Sequence, residues 1–114
     1  MQSYQLFIKV KKDINLKVGK LGRFTFSIGL YVYTGSAKTN FNKRIERHLS
    51  KKKKLHWHID YLLNNDYVEI IYIKKSKMIE CSLNNKTNGT IIIEGFGSTD
   101  CNLGCKSHLK YLGN

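Results

Sequence analysis

The hydrophobic positions of this chain fall into short runs, and their spacing changes from strand-like to helix-like along the sequence. Apolar and aromatic side chains dominate residues 4–10 and 23–33, in lengths and compositions typical of β-strands. The first run predicts one strand, and the second predicts either one long strand or two short ones. Residues 67–73 are nearly continuous in apolar side chains, which predicts a central strand that is covered on both faces.

Apolar side chains recur at helical spacing between these strands. Phe41, Ile45 and Leu49 lie four residues apart, which predicts an amphipathic helix that begins near residue 41. The pattern predicts a second short helix over residues 57–63 and a third over residues 77–83.

Two further strands are expected over residues 90–93 and 107–112. Short strands mixed with short helices predict an α+β fold with a small, mainly antiparallel central β-sheet flanked by helices. A chain of 114 residues can bury one core of ordinary size but not two. Residues 1–114 are therefore expected to form a single domain.

Charge adds a partner class to this picture. Twenty Lys and Arg against eight Asp and Glu give a formal net charge of +12, and such a field attracts polyanions. Nucleic acid is the expected partner, and a solvated basic surface is the alternative. No basic amphipathic helix with a wide apolar face is apparent, so no membrane partner is expected. The lack of a secretory or membrane-spanning segment predicts a soluble, cytoplasmic protein.

Four residues form a candidate phosphate site. Arg44 and His48 lie four apart on the first predicted helix, so their side chains can address one point beside it. The planar donor fork of an arginine matches phosphate oxygens. Tyr33 and Gly35 lie just before this helix, where a glycine lets the backbone approach a ligand and a tyrosine hydroxyl can reach the same pocket. Taken alone, the pattern fits a solvated helix beside a packed strand equally well.

The same region carries the candidate nucleic-acid contacts. A run of four lysines follows the first helix, and their mutual repulsion disfavours a regular buried conformation. The expected contacts with the nucleic-acid backbone come from Gly35, Ser36, Lys43, Arg47, Lys51, Lys52, Lys53 and Lys54.

Cysteines and a histidine near the carboxyl end form a candidate zinc set. Cys101, Cys105 and His108, with Cys81 as a further candidate, have the ligand types that zinc prefers. The spacing of Cys101 and Cys105 is not that of a Cys-x2-Cys knuckle, and buried cysteines in a reducing cell need no metal. A structural zinc is therefore not expected.

A polar cluster of His56, His58 and Asp60 precedes the second predicted helix. It fits a hydrogen-bonded helix start, and it fits the flank of a nucleic-acid groove equally well. No chemical mechanism follows from the cluster alone.

A resemblance connects several of these residues. The ordered set resembles the GIY-YIG nuclease superfamily, through Tyr4, Tyr33-Thr34-Gly35, Arg44, His48 and Glu80. The segments YTGSA, RIERH, HWHIDYL, GFGSTDC and SHLKYL resemble a small branch of that superfamily found mainly in archaea. The superfamily places its two signature tyrosines on successive strands, so the first tyrosine corresponds to Tyr4 rather than Tyr31.

The resemblance implies a metal-dependent endonuclease. Glu80 would hold one divalent metal, which is expected to be magnesium, with manganese as an alternative, because a single carboxylate suits a hydrated ion. Tyr4 would accept or relay the proton of the attacking water, Tyr33 would orient it, Arg44 would stabilise charge and His48 would contact phosphate. DNA is favoured over RNA as the substrate. The alternatives are a basic nucleic-acid-binding module without turnover and a small zinc-stabilised interaction domain.

Overall fold

The structure is a computed structural model that describes residues 3–37, 40–51, 53–98 and 105–114. Its strands are β1 (Ser3–Val10), β2 (Ile14–Val18), β3 (Gly22–Phe26), β4 (Gly29–Ser36), β5 (Val68–Ser76) and β6 (Leu109–Gly113). Its helices are α1 (Phe41–Leu49), α2 (His58–Leu63) and α3 (Glu80–Lys86), and a 3-10 turn spans Gly19–Leu21. None of the described helices has the length and apolar character that crossing a bilayer requires.

The strands form two antiparallel sheets. The larger sheet has the order β5-β1-β4-β6, and the hairpin of β2 and β3 makes the smaller sheet. Strand β1 pairs with both β4 and β5, so it lies inside the larger sheet together with β4. The predicted α+β class, with a mainly antiparallel sheet flanked by helices, is confirmed.

The main core lies on one face of the larger sheet. Side chains alternate between the faces of a strand, and the core-facing set of β1 is Tyr4, Leu6, Ile8 and Val10. Buried residues of the β2–β3 hairpin and of α2 complete this core. On the other face of β1, Gln5 Nε2 donates hydrogen bonds to the hydroxyls of Thr34 and of Thr87, which follows α3.

The prediction that residues 67–73 form a central strand is wrong. Strand β5 lies at an edge of the sheet, and the side chains of Ile71 and Tyr72 are 50% and 60% exposed. A continuous apolar run does not require coverage on both faces, because large apolar side chains also occur on protein surfaces. The position of a strand within a sheet depends on its partners, which this run does not encode.

Other element boundaries also differ from the predictions. Residues 23–33 belong to two strands, which was one of the two options, but strand β2 was not predicted because charged residues interrupt its apolar pattern. Residues 90–93 form no strand, and Thr90 makes only an isolated bridge to Tyr111. Short apolar segments are ambiguous in this way because few residues define their period.

Helix α1 buries a histidine instead of the last residue of its apolar stripe. Phe41 and Ile45 pack against the core, as the stripe predicts, but Leu49 is 55% exposed. The buried residue of α1 is His48, at 2% exposure. The prediction for Leu49 is wrong because the helix turns its His48 side, rather than its Leu49 side, toward the sheet.

Lysine side chains cap the carboxyl end of each helix in the described part of the chain. The hydrogen bonds run from Lys53 Nζ to Arg47 O and His48 O, from Lys51 Nζ to Leu63 O, Asn65 O and Val68 O, and from Lys110 Nζ to Asn84 O and Thr87 O. A cation at this end satisfies unpaired carbonyls and opposes the partial negative charge of the helix. Part of the net charge of +12 therefore has a structural role.

Candidate active site

A cavity of about 430 Å³ collects residues from several elements that are distant in sequence. Four of the five predicted catalytic residues line it, namely Tyr4 of β1, Tyr33 of β4, Arg44 of α1 and Glu80 of α3. Ser36, a predicted nucleic-acid contact, also lines it. The remaining wall includes His56, Trp57, His58, Gly97 and His108.

The ring of Tyr4 lies directly over Gly35. The two residues are paired across β1 and β4, and a Cβ at Gly35 would lie 2.5 Å from Cζ of Tyr4. A side chain there would displace the ring, so the glycine is needed to accommodate the tyrosine. Gly35 is buried, which corrects the prediction that its backbone meets the nucleic acid.

His48 lies behind Tyr4. Its Nε2 is 2.6 Å from the Tyr4 hydroxyl, in a buried hydrogen bond. Burial lowers the pKa of His48 to about 4, and the nearby Lys53 acts in the same direction. Burial raises the pKa of Tyr4 to about 12, although Arg44 opposes this shift. Both side chains are therefore neutral at pH 7. His48 does not line the cavity, so it is hydrogen-bonded to a cavity residue, Tyr4, and is not placed to contact phosphate as predicted.

Tyr33 and His58 occupy another part of the cavity wall. Tyr33 is 8% exposed, and burial raises its pKa, so its hydroxyl stays protonated. The backbone N–H of Gly97 donates a hydrogen bond of 2.9 Å to Nδ1 of His58. Because a backbone N–H cannot accept, Nδ1 carries the lone pair, and the proton of the neutral imidazole is on Nε2. The cavity therefore includes a histidine with a defined tautomer.

The two arginines of α1 have different roles. Both guanidinium groups lie 5.2 Å from the ring centre of Trp57, within the range of a cation–π contact. Arg47 also donates hydrogen bonds to the carboxylate of Asp60 at 2.7 Å and to Lys54 O at 2.6 Å. Asp60 is fully buried, so Arg47 neutralises an interior charge. This structural role departs from the predicted nucleic-acid contact, and Arg44 is the arginine that lines the cavity.

Asp60 organises the segment that precedes α2. Its Oδ2 accepts hydrogen bonds from the backbone N–H groups of His56 and Trp57. Burial pushes the pKa of Asp60 upward, but the hydrogen bonds from Trp57, Arg47 and His56 outweigh burial and leave the pKa lowered. The hydrogen-bonded helix start is thus present, and the same segment forms part of the cavity wall. In the sequence, this part of the wall was visible as a segment that contains two histidines, a tryptophan and Asp60.

Two lysines of the run use their donors within the fold. Lys51 Nζ donates to three carbonyl oxygens, which uses all three of its N–H donors, and Lys53 Nζ donates to two. Lys51 is therefore not placed to bind phosphate. Lys43 and Lys54 are exposed, and Lys52 lies outside the described residues.

Glu80 is the candidate metal ligand. It is the first residue of α3, its side chain is 31% exposed, and its Oε2 lies 3.5 Å from His108 Nδ1. Among the described residues that line the cavity, Glu80 is the only acid. A single accessible carboxylate fits magnesium, which retains most of its water ligands, better than it fits a metal that needs a full set of protein ligands.

A second set of ligand atoms lies behind Glu80. Donor atoms of Cys81, Cys105 and His108 lie within 4.8 Å of one another. Cys81 takes part in a disulfide, whereas Cys105 is a free, buried thiol. Because metals bind the thiolate, this set could hold an ion only after reduction of that disulfide. Cys101, the other predicted candidate, lies outside the described residues.

We expect that EDTA will not change the Tm of the reduced protein, because the buried core and the sheet do not require a structural zinc. Thermal melts with and without EDTA, both in the presence of a phosphine reductant, make the measurement. A structural zinc would couple metal loss to unfolding. Stoichiometric zinc in the purified protein, together with a lower Tm in EDTA, would contradict the expectation.

The fold and the cavity define a small α+β protein whose candidate site combines two tyrosines, one arginine and one carboxylate. Residues 3–114 match the protein family described as domain of unknown function DUF123, and the chain belongs to this family. No curated protein and no solved structure matches the chain.

Proposed function

We propose that this protein is a metal-dependent nuclease that hydrolyses phosphodiester bonds in nucleic acid. The observation that supports this function most directly is the shared cavity of Tyr4, Tyr33, Arg44 and Glu80. The sequence resemblance to the GIY-YIG superfamily includes these four residues together with His48. The net charge of +12 favours a polyanionic substrate.

Glu80 would hold the divalent ion, either magnesium or manganese. When bound, the ion supplies Lewis-acid stabilisation of negative charge on the phosphate oxygens. The partly exposed carboxylate leaves room for water ligands, while His108 limits the approach from one side. The protein would contribute the Glu80 carboxylate, which the first turn of α3 holds in a fixed position.

Arg44 would stabilise the charge that develops on the phosphate. A guanidinium offers paired N–H donors that match two phosphate oxygens. Its contact with the Trp57 ring restricts its side-chain freedom before substrate binds, so less entropy is lost on binding. Tyr33 would orient the attacking water with a hydroxyl that stays protonated, because burial raises its pKa.

Tyr4 and His48 would move the proton of the attacking water. With a pKa of about 12, Tyr4 is a phenol at neutral pH, so it cannot begin the reaction as a phenolate base. Its hydroxyl can instead accept the water proton while it passes its own proton to the neutral His48 Nε2, 2.6 Å away. This relay requires the tautomer of His48 that carries its proton on Nδ1.

His58 would act as a donor, whereas Tyr4 and His48 accept a proton. Since its Nδ1 accepts from Gly97, its Nε2 N–H can donate a hydrogen bond to a phosphate oxygen or to the leaving oxygen. The neutral imidazole would become an anion if it gave up this proton, so His58 would stabilise charge, and solvent water would protonate the leaving oxygen. The cavity therefore combines a proton acceptor, through Tyr4 and His48, with a hydrogen-bond donor.

A cleavage screen tests this function. Duplex, flap, junction and single-stranded substrates of DNA and RNA are incubated with magnesium or manganese, and the same reactions are run in EDTA. We expect metal-dependent cleavage of at least one substrate, with DNA preferred, and binding whose log–log salt slope is about −0.7 to −0.9 per phosphate contacted. Salt-dependent binding with no cleavage of any substrate would leave a non-catalytic nucleic-acid-binding module.

A further inference from the structure

A second cavity, of about 1190 Å³, lies between the turn of the β2–β3 hairpin and helix α2. His56 and His58 line both this cavity and the candidate active site. The two cavities are therefore neighbouring parts of one surface depression. We call the second one the hairpin groove.

The hairpin groove combines positive charge with aromatic and apolar surface. Lys17 and Lys20, both exposed, contribute charge from the hairpin side. Tyr61 and Leu55 contribute ring and aliphatic surface from the opposite side. Gly19 has a φ of +50°, and a Cβ there would lie 3.2 Å from the Tyr61 hydroxyl, so the glycine permits the close approach of turn and ring.

The hairpin is anchored well enough to present these lysines in a fixed position. An isolated two-stranded hairpin is only marginally stable in water. Here Ile14, Val18 and Phe26 are buried in the main core, and β2 packs against α2. Because Val18 is flanked by Lys17 and precedes the turn that contains Lys20, its burial fixes the basic end of the hairpin.

We propose that the hairpin groove binds a single-stranded stretch of nucleic acid that continues from the phosphate held in the active-site cavity. This proposal rests on the proposed nuclease function and specifies its substrate class, a nucleic acid with an unpaired strand beside the cleaved bond. The positive charge of Lys17 and Lys20 matches the charge of the strand's phosphates. The shared histidines make the groove continuous with the active-site cavity, so a strand can pass directly from one to the other.

The lining favours an unpaired strand over a duplex. A duplex offers a protein its phosphates and groove edges, because the faces of its bases are stacked inside. An unpaired strand also offers base faces, which stack on aromatic side chains in proteins that bind single strands. Tyr61 and His56 supply such rings in the hairpin groove. A surface that bound only the phosphates of a duplex would need cations and no rings.

The double variant Lys17→Ala/Lys20→Ala tests the proposal through the salt dependence of binding. The ligands are a duplex with a single-stranded arm and a blunt duplex of equal phosphate number, at several salt concentrations without metal. Loss of two single-strand phosphate contacts should make the log–log slope shallower by about 1.4 for the armed duplex. The slope for the blunt duplex should not change.

The control is Lys9→Ala/Lys86→Ala, which removes the same charge from two exposed lysines outside both cavities. It should have equal, small effects on the two ligands. Equal changes in slope for both ligands with Lys17→Ala/Lys20→Ala, or no change for either, would overturn the proposal.

Photo-crosslinking of the wild-type protein gives a second measurement that needs no variant. Thio-substituted bases in the arm should crosslink to residues 17–20 or 55–61, and crosslinks confined to other regions would contradict the groove. Both measurements concern binding, so their failure is distinct from failure of the nuclease function. Absence of cleavage by the wild-type protein would remove the catalytic function, while the slopes and crosslinks would still decide whether the groove binds a strand.

Discussion

Glu80→Gln is expected to abolish metal-dependent cleavage while leaving the affinity for nucleic acid nearly unchanged. The substitution keeps the size of the side chain but replaces a charged oxygen ligand with a neutral amide, which binds hard cations weakly. Affinity should persist because phosphate contacts with Lys and Arg dominate it. Cleavage rates in magnesium, together with binding titrations in EDTA, separate the two effects.

Glu94→Gln is the matched control, because Glu94 is an exposed acid outside the lining of both cavities. It should cleave at the wild-type rate. A Glu80→Gln protein that also cleaves at the wild-type rate would remove the nuclease function and leave a binding module. The result is decisive because Glu80 is the only acid among the described residues of the active-site cavity.

The same cavity predicts a smaller but still large loss for Arg44→Ala. Removing one donor that stabilises charge in the transition state costs on the order of a hundredfold or more in turnover. Lys43→Ala removes a neighbouring exposed charge of α1 and should affect the salt dependence of binding more than turnover. A reversed result, with turnover more sensitive to Lys43 than to Arg44, would contradict the role of Arg44.

The α+β class was predictable because the apolar runs of β1 and of β4 have the composition of strands, and because Phe41 and Ile45 show the period of a helix. The order of strands was not predictable, since it depends on which edges pair. The apolar composition of β5 therefore suggested a central strand that the structure places at the edge.

The roles of individual cations were hidden for a related reason. Lys51 lies on the chain 12 to 17 residues from the carbonyls that it caps, and Arg47 lies 13 residues from Asp60. Charge and spacing identify these residues as cations, but only the folded chain shows that Lys51 uses its three donors on carbonyls and that Arg47 pairs with a buried acid. The cluster of cations that predicted a binding surface therefore includes lysines that cap helices.

The residues of the candidate site were more accessible to sequence reasoning than their partners were. The resemblance placed Tyr4, Tyr33, Arg44 and Glu80 in one set, and the structure brings them to one cavity. It did not indicate that Gly35 accommodates the Tyr4 ring, because that contact depends on the register of β1 against β4. Nor did it indicate the tautomer of His58, which a distant backbone N–H determines.

The second large effect is expected at the hydrogen bond between Tyr4 and His48. Tyr4→Phe should lower turnover by about 10²- to 10⁴-fold, the range for a group that transfers a proton in the transition state. The ring remains over Gly35, so binding should change little, while the loss of the partner of the buried His48 Nε2 should lower the free energy of unfolding by about 1–3 kcal/mol. Tyr72→Phe, at a tyrosine that is 60% exposed on β5, is the matched control and should keep wild-type turnover.

His48→Gln separates proton transfer from positioning. A glutamine can hydrogen-bond the Tyr4 hydroxyl but cannot accept its proton at neutral pH. If His48 only positions Tyr4, this variant should retain most of the turnover, whereas loss of the relay should lower turnover as severely as Tyr4→Phe does. Wild-type turnover in His48→Gln would therefore contradict the relay.

The pH dependence of stability checks the protonation state on which this relay depends. Burial lowers the pKa of His48 from 6.5 to about 4 in the folded protein. As the pH falls from 6.5 to 4, the unfolded chain binds a proton that the folded chain does not, so the free energy of unfolding decreases, by about 3 kcal/mol at pH 4. Urea unfolding at pH 7 and pH 4 should show this additional loss in the wild type and not in His48→Gln, since Asp60 titrates equally in both proteins. An equal acid-induced loss in the two proteins would mean that burial does not lower the pKa of His48, and the assignment of a neutral His48 between pH 6.5 and pH 4 would be wrong.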